Sequence, residues 1–135
     1  MKNMDSFYSD VDFREYDNGL KFIYKHFPSE IAAVSICFAT GSSDEAEFLG
    51  SGLAHLTEHL VFEGRDDLED KMREYGASSN AYTTFDHTLY YFEVPKESLK
   101  KTLEVFVPAI FKPEITVEVL NIAGTKTSSV FFRLS

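Results

Sequence analysis

The chain has 135 residues, 44% of them hydrophobic, and its 22 acidic against 13 basic side chains give a net charge of -9. That length suits one domain, residues 1–135, burying roughly two thirds of its unfolded surface. The acidic balance offers no basic footprint for nucleic acid or an anionic membrane, no stretch reaches the roughly 18 apolar residues of a membrane span, and neither partner is expected.

Residues 1–10 show no basic segment followed by an apolar run, so the chain is expected to be intracellular and cytoplasmic. Asp17-Asn18-Gly19 stands between residues 11–16 and 20–24, which reads as a tight turn joining two strands. A third strand follows at residues 31–39, and its lone Cys37 is expected to be a buried, inert thiol. Gly41-Ser42-Ser43-Asp44-Glu45 breaks that strand. Leu49, Leu53, Leu56 and Leu60 then recur at spacings of four, three and four, predicting one apolar helical stripe. Residues 68–75 predict a second helix stopped by Gly76. Residues 80–85 and 87–94 predict a strand pair, ended by Pro95. Residues 96–106 predict a helix with Leu99, Leu103 and Phe106 inward, and Pro113 opens a last one to about residue 123. The order is three strands, two helices, two strands and two helices: an α+β fold, a two-layer domain with a mostly antiparallel sheet and helices on one face.

The chemistry concentrates on the first helix. Positions four apart differ by about 40° around a helix, so His55 and His59 project side by side and can close on one metal. With Glu58 they cluster roughly opposite the leucines, so burying the stripe presents the trio to a cavity. Zn²⁺ prefers imidazole nitrogen, lowers the pKa of a bound water to about 7 and needs a carboxylate nearby to take the proton; Glu58 is placed for that. The order H-x-x-E-H inverts the commoner H-E-x-x-H and sets a glutamate beside one ligand just as that motif does. Two histidines and a glutamate can also merely decorate a solvated face. Four histidines in 135 residues give this pattern by chance in about one shuffled chain in a hundred, which favours the chemical reading. His26 and His87 read as surface or structural side chains.

Two blocks, GLAHLTEHLVFEG at residues 52–64 and SNAYTTFDHTLYYFEV at residues 79–94, resemble the pitrilysin/insulinase family of inverzincin metallopeptidases. The likeness runs from about Asn18 to Glu118. It implies a zinc metalloendopeptidase domain in which His55 and His59 bind Zn²⁺ and Glu58 activates water. It also implies that the strand carrying Asn80, Ala81 and Tyr82 pairs with an extended peptide substrate. A strand edge offers unpaired N–H and C=O groups to any peptide backbone, which suits that role. The family's accessory active-site glutamate matches Glu118. Seven residues on, where the family places a third zinc ligand, stands Thr125, which cannot replace a carboxylate. Family members are much longer and join several such domains, so the resemblance implies a truncated N-terminal part of the first domain and a second peptidase domain or subunit as partner. The competing expectations are a catalytically impaired fragment that binds peptide or a subunit, and a regulatory module that carries zinc without hydrolysis.

Overall fold

The computed structural model describes residues 10–63, 67–117 and 119. The chain divides into two compact units, residues 1–30 and 31–135. In the first, β1 (Val11–Glu15) and β2 (Lys21–Lys25) form an antiparallel hairpin with Phe13 opposite Ile23. The expected turn closes it: the Gly19 N–H donates to the Tyr16 carbonyl at 2.8 Å, and the Leu20 N–H donates to Asn18 Oδ1 at 3.1 Å. An Asx-type side-chain bond of this kind makes Asp-Asn-Gly a strong turn sequence.

The second unit is a sheet covered by helices on one face. Strands β3 (Ile31–Phe38), β4 (Ser78–Thr83) and β5 (Thr88–Pro95) run antiparallel in the order β3-β5-β4, with Val34 and Ser79 both opposite Phe92. Alternation along a strand sends Ala32, Val34, Ile36 and Phe38 inward with Tyr90, Phe92 and Val94. Helices α1 (Leu53–Glu63), α2 (Leu68–Glu74) and α3 (Leu99–Phe111) add Val61, Leu68, Met72, Phe106, Ala109 and Ile110 to that core. The α+β two-layer architecture read from the sequence is the one observed. None of the helices among the described residues is long and apolar enough to cross a membrane.

Four local expectations change. Cys37 is exposed, because it shares the outward register of β3 with Ile31 and Ser35; an unbroken apolar run hides which half of its residues the pleat turns outward. Leu49 follows a short 3-10 turn (Ala46–Phe48) and is 66% exposed, and Leu53 is 41% exposed. The predicted stripe was counted across Gly50 and Gly52, whose left-handed φ values of 82° and 78° break any helix there. Only Leu56 and Leu60 are buried, together with Val119. Helix α3, led in by a 3-10 turn (Lys96–Ser98), runs past Phe106 and through Pro108 to Phe111. An interior proline costs about 3 kcal/mol, and burying Ile110 and Ala109 with the Phe111 ring against Phe38 offsets a cost of that size. The last predicted helix starts later than Pro113: residues 113–116 have no regular structure, Val117 and Val119 are helical, and Thr116 Oγ1 accepts the Val119 N–H at 3.2 Å as an N-cap. The rest of that helix lies outside the described residues.

Candidate functional site

Helix α1 begins at a buried carboxylate. Its first turn has backbone N–H groups with no helical partner, and the two glycines before it expose two more. Glu45, 5% exposed, meets three of these: the Ala54 N–H donates to Oε1 at 2.9 Å, and the N–H groups of Gly50 and Gly52 donate to Oε2 at 3.0 and 3.4 Å. These bonds, that of Ala54 foremost, hold the Glu45 carboxyl below its ordinary range despite burial. Sequence reasoning missed Glu45. The signal available was a glutamate five residues before a Gly-x-Gly break at a helix start.

One turn further on, His55 and His59 lie side by side, the first exposed and the second half-buried, with their Nε2 atoms 3.2 Å apart. Two nitrogens each about 2.05 Å from a shared ion, separated by this distance, subtend about 103° at it, close to the tetrahedral angle that zinc favours. The pair therefore fits two positions of a zinc site. Among the described residues no group of three or more His, Cys, Asp or Glu side chains could hold a metal. Glu118 and Thr125, the positions that bear on a further ligand, lie outside the described residues.

Glu58 lies about 60° from His55 around the helix, on the side toward the sheet, and is 8% exposed. Its Oε2 accepts the Thr83 hydroxyl at 2.9 Å. The Tyr90 phenol is pushed up to about 12, first by burial and then by the negative charge of Glu58. Glu58 is therefore not one of the polar groups that merely decorate a solvated face. α1 has a second buried side, made by Val61 and Phe62 against Tyr90 and Phe106.

The strand beside this helix is β4, which pairs only with β5 among the described residues and so leaves its other edge open. Ala81 points to the helix-covered face, while Asn80 and Tyr82 point to the outer one, where the Tyr82 ring meets Tyr91 and His87. The Asn80 carboxamide oxygen accepts the Ala81 N–H at 2.8 Å, so one edge donor is already engaged by its neighbour. His87 is held structurally, as expected: Nδ1 lies 2.7 Å from Asp86 Oδ1 and 2.9 Å from the Thr84 hydroxyl. This contact holds the Asp86 carboxyl below its usual range.

The family model for Insulinase (Peptidase family M16) matches residues 21–128. The chain belongs to this family. A nardilysin-like protein of Arabidopsis thaliana is 38% identical over 94 residues, 62% of this chain and 9% of that protein. The A-factor-processing enzyme of Saccharomyces cerevisiae is 34% identical over 116 residues, covering 77% of this chain and 11% of the enzyme. Cytochrome b-c1 complex subunit 1 of Homo sapiens is 32% identical over 94 residues, 66% of this chain and 19% of that subunit. Relatives thus carry the names of a nardilysin-like protein, a processing enzyme and a subunit of the cytochrome b-c1 complex. The fold is also that of a protease from Helicobacter pylori (TM-score 0.76, 22% identity, covering 87% of this chain and 29% of that one) and of a peptidase M16 inactive domain from Pseudomonas fluorescens (TM-score 0.75, 18% identity, covering 87% and 30%). This M16 chain spans about a tenth to a fifth of the length of these curated relatives.

Proposed function

We propose that this M16 chain forms part of a zinc-dependent metalloendopeptidase that hydrolyses peptides or small proteins held in extended form. The observation that carries the proposal is the 3.2 Å approach of the His55 and His59 Nε2 atoms on the helix that also holds Glu58. Zn²⁺, when bound, polarises the scissile carbonyl and acidifies a water. His55 and His59 hold the ion, and Glu58 takes the water's proton and later delivers it to the leaving amine. The open edge of β4 at Asn80, Ala81 and Tyr82 pairs with the substrate backbone, with the Asn80 carboxamide giving up the Ala81 N–H to the incoming strand. Glu118 serves as the accessory active-site carboxylate. A second peptidase domain or subunit supplies the remaining substrate contacts, in keeping with the greater length of the relatives.

A second reading, a catalytically impaired module that binds peptide or a subunit, is favoured by the lack of a third ligand beside the histidine pair among the described residues. Zinc titration followed by cleavage of a quenched fluorescent peptide separates the two. The peptidase reading expects zinc-dependent cleavage that Glu58→Gln abolishes at equal zinc occupancy. Zinc uptake with no cleavage supports the second reading, whereas equal, measurable rates for wild type and Glu58→Gln remove Glu58 as the base.

A further inference from the structure

We infer that Thr83 is a positioning residue for Glu58: its hydroxyl anchors one carboxylate oxygen and thereby presents the other for proton transfer, an assignment that rests on the peptidase reading above. Thr83 is the last residue of β4, on the helix-covered face, opposite Thr88 of β5. Its Oγ1 lies 2.9 Å from Glu58 Oε2, and among the described residues Oε1 takes no hydrogen bond. The neighbouring hydroxyls are committed elsewhere, that of Thr88 to the Thr40 carbonyl and that of Thr84 to the His87 carbonyl, each at 2.9 Å. Thr83 is therefore the hydroxyl assigned to this carboxylate.

The anchor matters because a glutamate has three rotatable bonds, while a general base acts only from within hydrogen-bond reach of the proton it removes. A hydroxyl bond to an ionised carboxylate is among the stronger hydrogen bonds, and with Glu58 nearly buried little water competes for that oxygen. The anchor also belongs to the strand proposed to receive the peptide. Substrate position and base position are thus referred to one strand segment, residues 80–83, rather than to separate elements.

Two variants and two readouts test the assignment. Thr83→Val keeps the shape and removes the donor, and Thr83→Ser keeps the donor. In metal-free, isotope-labelled protein, the three-bond couplings of the Glu58 side chain should report one staggered rotamer in wild type and Thr83→Ser and averaged rotamers in Thr83→Val. A single rotamer retained in Thr83→Val overturns the anchor, whatever the chain does with peptides. At equal zinc occupancy, Thr83→Val should lower kcat by about 10-fold with KM within about twofold, and Thr83→Ser should stay within about twofold of wild type in both. Unchanged kcat in Thr83→Val overturns the positioning role. A wild-type protein that binds zinc yet cleaves nothing sinks the peptidase reading instead, and the couplings alone then decide whether Thr83 holds Glu58.

Discussion

The Ala54 N–H, one residue before His55, donates to the Glu45 carboxylate at 2.9 Å. Glu45 therefore fixes where α1 begins, and with it the rotation at which His55, Glu58 and His59 leave the helix. Replacing Glu45 by Gln turns one acceptor oxygen into a donor that faces other donors. We expect a loss of about 1–2 kcal/mol in urea unfolding, the range for removing a side-chain cap. The sign with pH follows from the lowered folded pKa. The stabilisation from ionised Glu45 is full above its ordinary value of 4.5 and is lost as the pH falls below that value through the folded one. The gap between wild type and Glu45→Gln should accordingly be constant near neutrality and shrink in acid. A gap independent of pH would show that the charge plays no part.

A second expectation concerns Gly41, which lies against the turn joining β4 to β5. A Cβ there would stand 2.5 Å from the Thr84 carbonyl oxygen and 2.7 Å from the backbone nitrogens of Asp86 and His87. All three are main-chain atoms, so no side chain can swing aside, and the requirement is for space. Gly41→Ala should cost about 2 kcal/mol or more in chemical unfolding. It should also speed amide exchange at Ser42 and Ser43, whose N–H groups donate to the Thr84 and Phe85 carbonyls. Unchanged exchange at both amides would mean that the turn accommodates the methyl group.

Much of this architecture is legible in the residues because local rules suffice for it. Asp17-Asn18-Gly19 specifies a turn through its own side-chain bond, and a histidine pair four apart on a helix is close whatever surrounds it. What stays hidden depends on tertiary contact. The pleat decides that Cys37 points out, and burial of Ile110 carries α3 through Pro108. Glu45 lies outside both family-like blocks, and Thr83, inside the second, meets α1 only through the fold. The surroundings of Glu58 stay hidden for the same reason: a wheel shows which residues share a face, but only the sheet shows that Thr83 and Tyr90 lie against that one.

Tyr90 provides a spectroscopic check on that buried side of α1. Its phenol is pushed up from 10.0 to about 12, first by burial and then by the charge on Glu58. The folded state favours the neutral phenol, so this stabilisation is complete below 10.0 and is lost as the pH rises through about 12. Six further tyrosines titrate in the same spectrum, so the measurement is the difference in phenolate absorbance between wild type and Tyr90→Phe. That difference should develop near 12, accompanied by alkaline unfolding. A difference already complete near 10.0 would show that water reaches the ring.

The histidine pair yields the most direct test of the metal reading. If the two Nε2 atoms close on one ion, each single substitution leaves one imidazole and destroys the chelate. His55→Ala and His59→Ala should then each weaken zinc binding by about 30-fold or more in competition with a chromophoric chelator. The double variant should bind little worse than either single, because the second histidine has no partner left to chelate with. Glu58→Gln should stay within about threefold of wild type, since the carboxylate serves the water and not the ion. His87→Ala is the control: its ring is held by Asp86 and Thr84, and its loss leaves the pair intact. Zinc affinity that falls as far in His87→Ala as in His59→Ala would place the metal elsewhere, and additive losses at His55 and His59 would mean that they do not share one ion.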